Sequence, residues 1–364
     1  MYSPHRRRNV ALLVSSLIAI PIIFSGCSSS KGTTDAKNVG DNTFSAAMVM
    51  DVGGISDKSF NQSAYEDGLK QLEAKLGAKI GYRESPRPSD YKANLEKATD
   101  EKNNIIWGVG YKLAESIESV AKENPTQQYG IIDHEYPAPG LPNVISICFK
   151  DNQAAFLIGY LSGVLSKTGS VGFIGGMGSV VIERFEVGFK AGVALAEKEN
   201  NSKVKVFTQY AESYTDPTKC KDVATGMYTN GCDIIYCAAG QAGVGAREAA
   251  KERNLYIMGV DLDQSKEAPE NVLASSLKNV GKAMFDETKK IYSGEVTGIQ
   301  GGNRVLGLEE MAVGIAFGTT NLTTDDVKEK IENVKSRIIS GEVFVPSTKL
   351  ELEEQAKPQV AEPI

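Results

Sequence analysis

Apolar, β-type runs alternate with helical runs from Phe44 to Tyr292, and this alternation restricts the possible fold more than any other feature of the chain. The strands read as Phe44–Asp51, Lys79–Glu84, Asn104–Gly110, Tyr129–His134 and Val144–Phe149. A second series follows: Ser170–Gly175, Lys203–Tyr210, Asp233–Ala239, Tyr256–Asp261 and Val272–Leu277. Helical spacing fills the gaps, at Tyr91–Glu101, Leu113–Lys122, Asp151–Leu165, Ile182–Glu197, Thr218–Thr229, Gly245–Arg253 and Gly281–Tyr292. Such alternation predicts parallel sheets wound with helices on both faces. Continuous apolar stretches such as Asn104-Ile-Ile-Trp suit strands buried on both sides. A chain of 364 residues exceeds one comfortable core. The expected class is therefore α/β, with two similar doubly wound parallel-sheet lobes joined by a hinge. Lobe 1 is read as 44–149 plus 279–305, and lobe 2 as 150–278 plus 306–348. The break falls near Phe149–Asn152, where strand meets helix without a long loop.

The ends fix the compartment. His5-Arg-Arg-Arg8 is a basic n-region, Val10–Phe24 is apolar, and Ser25-Gly26 leads into Cys27. Residues 1–26 thus have the layout of a signal peptide, too short for a span of about 20 residues. Small residues before a Cys resemble a bacterial lipobox, which implies lipidation of Cys27, a lipid anchor in the cell membrane and an extracytoplasmic location. Residues 27–43 read as a polar tether, and 349–364 as a frayed polar tail. Losing residues 1–26 removes Arg6, Arg7 and Arg8 and no acid, moving the formal charge from −6 to −9. Without a Lys/Arg cluster, a nucleic-acid partner is not expected. Cys148 and Cys237 read as small buried hydrophobes, while Cys220 and Cys232 flank a helical stretch and leave a pairing open. Two His and no Cys-x-x-Cys give no support for a metal site, and no cofactor is expected.

In an open α/β sheet, ligands bind at the carboxyl ends of the strands. The first strand ends at Asp51 and runs through two glycines into Phe60-Asn61. Asp133, Gly240, Asp261 and Lys278 close four others. An Asp at a strand end is commonly a helix cap or turn former. Their recurrence in both series points instead to a shared polar cleft. The acids at Asp51, Asp133 and Asp261 call for a ligand rich in hydroxyl and N–H donors. Phe60 offers a ring face, and Asn61 both donates and accepts. That set fits a nucleoside better than a plain sugar. The glycine-rich run Gly172–Gly178 lacks the Lys-Ser/Thr of a phosphate loop and reads as a tight turn near the cleft.

The segments Asp51-Val-Gly-Gly-Ile-Ser-Asp-Lys-Ser-Phe-Asn-Gln62, Gly175-Gly-Met, Glu183-Arg-Phe-Glu-Val-Gly-Phe-Lys-Ala-Gly192, Ala238-Ala-Gly-Gln-Ala-Gly243 and Gly259-Val-Asp-Leu-Asp-Gln264 resemble the basic membrane protein lipoproteins. These are purine-nucleoside receptors of ABC transporters, and the likeness runs from about Phe44 to Val345. The resemblance implies a type I periplasmic-binding-protein fold. It implies that Phe60 stacks on a purine whose edge Asn61 and Asp133 read. Asp51, Asp261 and Lys278 would hold the ribose, with Gly240 donating from its backbone. A second stacking ring is implied, and Tyr214 and Tyr236 both stand as candidates. Gln241 stands where a small residue is common.

Inosine, guanosine and adenosine define the expected ligand class, with an ABC permease and ATPase as protein partners. No nucleophile–base pair is evident, so an enzyme is not expected. Two alternatives stand beside this: a sugar or signal-molecule binder on the same fold, and a nucleoside hydrolase.

Overall fold

The computed structural model describes residues 43–296 and 301–357. The signal peptide, Cys27, the tether up to Asn42 and the last residues of the tail lie outside the described residues. Two six-stranded sheets organise the rest. The first holds β1 (Ser45–Met50), β2 (Lys79–Arg83), β3 (Ile105–Val109), β4 (Tyr129–Ile132), β5 (Val144–Phe149) and β11 (Gly302–Leu306), in the order β11-β5-β4-β3-β1-β2. The second holds β6 (Ser170–Gly175), β7 (Lys205–Tyr210), β8 (Ile234–Ala238), β9 (Tyr256–Asp261), β10 (Val272–Lys278) and β12 (Val313–Phe317), in the order β12-β10-β9-β8-β6-β7. The two orders are equivalent, strand for strand. They differ at one edge: β11 runs parallel to β5, whereas β12 is antiparallel to β10. The fold is the type I periplasmic-binding-protein architecture expected.

Eleven α-helices accompany the sheets among the described residues: α1 (Phe60–Ser63), α2 (Lys70–Leu76), α3 (Tyr91–Asp100), α4 (Ala114–Glu123), α5 (Asp151–Leu165), α6 (Val180–Asn200), α7 (Pro217–Thr229), α8 (Gly243–Arg253), α9 (Val280–Tyr292), α10 (Asp325–Ile339) and α11 (Lys349–Ala356). The amphipathic stretch after Phe60 is not one regular helix, because Ala64–Leu69 forms a π-helical segment between α1 and α2. That segment packs closely on α9. A Cβ on Gly68 would lie 3.0 Å from the Gly281 Cα, and one on Gly281 would lie 2.2 Å from the Ser63 carbonyl oxygen. Left-handed Gly77 ends α2.

The expectation of a frayed tail from residue 349 is corrected. Thr348 and Glu351 form a reciprocal capping box at the start of α11. Lys349 lies 3.8 Å from Glu183 and 3.9 Å from Glu186 on α6. The first two helical turns of that segment are therefore ordered and docked.

Three segments join the sheets: β5 to α5, β10 to α9, and β11 to β12. They lie side by side. The Lys150 N–H donates to the Leu306 carbonyl at 2.8 Å, and the Asn279 N–H to the Ala312 carbonyl at 2.8 Å. The Gln153 side chain accepts from the Leu308 N–H at 2.9 Å. No helix among the described residues is long and apolar enough to cross a membrane.

Candidate functional site

Between the sheets lies a cavity with about 630 Å³ of space unfilled by protein atoms, solvent at its mouth included. Its walls come from strand ends, the loops that follow them, and the first turns of α1 and α6. From the first sheet come Asp51, Gly53, Phe60, Asn61, Tyr111 and Asp133; Phe185, Tyr214, Gly240, Gln241, Asp261 and Lys278 face them from the second.

The loop after β1 shows how local chemistry sets the site. Gly53 (φ 118°) and Gly54 (φ 69°) turn the chain where a side chain would be strained. The Asp57 carboxylate then accepts from the N–H groups of Ser59 (2.9 Å), Asn61 (2.9 Å) and Gln62 (3.0 Å). It satisfies the open end of α1, which presents Phe60 and Asn61 to the cleft. The Asn61 amide reaches the Asp51 carboxylate and the Val52 carbonyl, each at 3.4 Å. Its own Oδ1 is buried and without a partner, as is Oδ1 of Asp133. Buried acceptors left unpaired are costly. Both residues line the cavity.

Asp133 and Asp261 occupy equivalent places, one residue past β4 and at the last residue of β9. Both adopt left-handed backbone angles, φ 68° and φ 65°. Non-glycine residues held there cost of order 1 kcal/mol, and such strain concentrates at functional sites.

A buried ionic group ties the sheets together. The Lys278 ammonium, 2% exposed, lies 2.7 Å from Asp133 Oδ2 and 3.1 Å from Asp151 Oδ1. The rings of Phe149, Phe60 and Phe185 surround it, at 5.1, 5.3 and 5.6 Å from their centroids. Arg184 supports Asp151 from behind at 3.2 Å. Burial opposes the charge on Lys278, yet Asp133, Asp151 and Asp261 together hold its pKa above the ordinary value. Burial pushes Asp133 up against the pull of Lys278. Burial also raises Asp261 to about 7, with Lys278 pulling the other way, and Asp51 to about 7, with Lys112 opposing.

Contacts also close over the cleft. Ser59 Oγ donates to Asp261 Oδ2, and Gln264 Nε2 donates to the Lys58 carbonyl at 2.9 Å. Lys58 meets Glu267 at 3.6 Å. The hydroxyls of Tyr111 and Tyr214 lie 3.5 Å apart, and Lys112 sits 4.7 Å above the Tyr214 ring. The two lobes are therefore seen engaged across the site.

Of the residues read from sequence, the cavity gathers Asp51, Phe60, Asn61, Asp133, Tyr214, Gly240, Asp261 and Lys278. Tyr236 is corrected: it is not among the lining residues. It is fully buried, packs on Phe173 and Phe189, and hydrogen-bonds Ser276 at 2.7 Å. Tyr214 reaches the cavity because Gly176 leaves its ring room; a Cβ there would lie 2.4 Å from the ring. Phe185 and Tyr111 were missed. Phe185 reads as one more core residue of a long helix, and its one signal was a position just after the glycine-rich turn. The cysteines Cys148, Cys220, Cys232 and Cys237 are all free and buried. Among the described residues no cluster of three His, Cys, Asp or Glu side chains is placed to hold a metal ion.

Two equivalent α/β lobes, hinged by three segments and closing on a polar, aromatic-lined cleft, define a solute-binding protein. The same fold is seen in an ABC transporter solute-binding protein of Aeropyrum pernix K1, at TM-score 0.77 and 24% identity over 85% of this chain and 96% of that one. A family model described as ABC transporter substrate-binding protein PnrA-like (Bmp) matches residues 44–349, and the chain belongs to that family. It is 36% identical to the CD4+ T-cell-stimulating antigen of Listeria innocua, over 94% of this chain and 99% of that protein. It is 33% identical to the ABC transporter nucleoside-binding protein BmpA of Lactococcus lactis, again over 94% and 99%. The protein is thus the substrate-binding component of an ABC transporter, acting with separate permease and ATPase subunits on the extracytoplasmic side of the membrane.

Proposed function

We propose that the protein is a lipid-anchored receptor for purine nucleosides, held through Cys27, which captures its ligand by closing the two lobes. The observation that carries this is the pairing of rings with donor-seeking oxygens in one cavity. Phe60 and Tyr214 line it from opposite lobes, together with Asn61 and Asp133, each of which has a side-chain oxygen without a partner. In this reading the base lies between Phe60 and Tyr214, with Asn61 and Asp133 on its edge. The ribose hydroxyls meet Asp51, Asp261 and Lys278, and the Gly240 N–H adds a donor. The nucleoside binding printed in the name of the Lactococcus lactis relative supports the ligand class. No chemical step is needed, since a receptor requires closure and no reactive group.

Binding of inosine, guanosine, adenosine and a set of pentoses, followed by calorimetry and thermal shift, tests this, because ligand bound only to the folded state raises its stability. The nucleosides should bind and the pentoses should not. A response to a sugar alone would overturn the proposal. Release of free base from inosine during incubation would replace the receptor by a hydrolase.

A further inference from the structure

Two thiols that the binding site does not use lie against each other beneath it. Cys220 on α7 and Cys237 on β8 have their sulfurs 3.5 Å apart, and both are buried, at 0% and 3% exposure. We propose that Cys220 and Cys237 form a disulfide in the mature protein, pinning α7 to the strand that leads to Gly240. The sequence leaves open a pairing of Cys220 with Cys232. The fold instead sends Cys232 to the start of the strand, and five residues on it turns Cys237 toward α7. The pair then spans 17 residues.

Location favours closure of this bond. A protein that works outside the cytoplasm meets conditions in which disulfides persist. The neighbouring Cys220 sulfur and burial both push the Cys237 thiol up in the folded lobe, so the thiolate needed for exchange is available only while the chain is open. The chemistry is thiol–disulfide exchange. A thiolate of the pair attacks a sulfur of an external disulfide, such as an exported thiol oxidoreductase or oxidised glutathione, and expels that molecule's other sulfur as a thiolate. The second cysteine, as thiolate, then attacks the protein sulfur of the mixed disulfide and expels the external molecule's remaining sulfur as a second thiolate. The two thiols lose two protons and two electrons, and the external disulfide is reduced to two thiols. Because both sulfurs are sealed in the folded lobe, exchange belongs to folding, before α7 docks.

The full chain, unfolded and refolded in a glutathione redox mixture, gives the test. It is alkylated in denaturant with iodoacetamide, then reduced and labelled with N-ethylmaleimide before peptide mass spectrometry. The expected result is N-ethylmaleimide on Cys220 and Cys237, with iodoacetamide on Cys148 and Cys232. Full iodoacetamide labelling of Cys220 and Cys237, or a bond involving Cys232, would overturn the proposal. Thermal melts provide a second measurement. Oxidised protein should melt several degrees above reduced protein, a difference that Cys232→Ser retains and Cys220→Ser abolishes. Its loss in Cys232→Ser would equally refute the assignment.

Discussion

Asp261→Asn separates what the fold gives up from what the ligand gains. Asn tolerates the left-handed backbone at this position, so the substitution leaves the φ of 65° accessible. It removes a carboxyl that burial raises from 3.8 to about 7. Between those values the folded protein holds a proton that the unfolded chain has lost, so Asp261 makes stability fall as pH rises through that window. A shift of about 3 units at 1.36 kcal/mol each gives a penalty of up to about 4 kcal/mol, fully developed above pH 7 and absent below about pH 4. Asn cannot titrate. The difference in unfolding free energy, variant minus wild type, should therefore climb with pH by up to about 4 kcal/mol across that range. Urea unfolding of both proteins without ligand, at pH 4 to 8, measures it. The same variant should bind inosine more weakly by about 1.5–3 kcal/mol, the worth of a hydrogen bond to a charged group. A stability difference that stays flat with pH would refute the account of a strained, desolvated carboxyl at the cleft.

Inosine affinity of the wild type should rise from pH 5.5 to 8, with protons released on binding, because hydroxyl donors favour the ionised forms of Asp51 and Asp261, whose pKa values stand at about 7 in the unliganded protein. Calorimetry in buffers of different ionisation enthalpy counts those protons. Phe60→Ala and Tyr214→Ala should each weaken nucleoside binding by about 1–3 kcal/mol, whereas Tyr236→Phe should leave affinity unchanged and cost about 1 kcal/mol of stability through the lost Ser276 bond; titrations and melts of the three variants distinguish the rings. Lys278→Met should lower stability at pH 8 by about 3–5 kcal/mol, since it leaves Asp133 and Asp151 buried without their cation. Gly281→Ala should destabilise measurably in urea, because its methyl group meets the Ser63 carbonyl in the π-helical turn.

The repeated strand–helix rhythm made the two-sheet fold legible, since buried parallel strands need continuous apolar runs and those runs stand out. The last two strands did not. β11 and β12 are short edge strands: Gly302–Leu306 is polar and partly exposed, and Val313–Phe317, though apolar, follows β11 directly and so falls outside the strand–helix alternation. α11 carried a readable signal in Thr348 and Glu351, outweighed by the charge around it. At the site, acids and glycines at strand ends were legible because their positions follow from where a strand stops. Tyr236 and Tyr214 were not separable in sequence. A strand buried on both faces gives no periodicity to say which side a ring takes, and the room that Gly176 leaves for Tyr214 exists only once the chain is folded.

The three side-by-side crossings carry a mechanical consequence. A single strand between two bodies lets them swivel, slide and bend. Three strands bonded in a ribbon resist sliding and swivelling and keep only the bend, much as a door leaf is confined by its hinge line. Lys278 closes one of those strands, and Asp151 opens the helix after another. A solute touching Lys278 thus presses on the axle itself and not only on the door's edge. The expected consequence is motion along one arc: distances between spin labels on the two lobes should shift together on titration with inosine, and a spread of unrelated intermediate distances would contradict it.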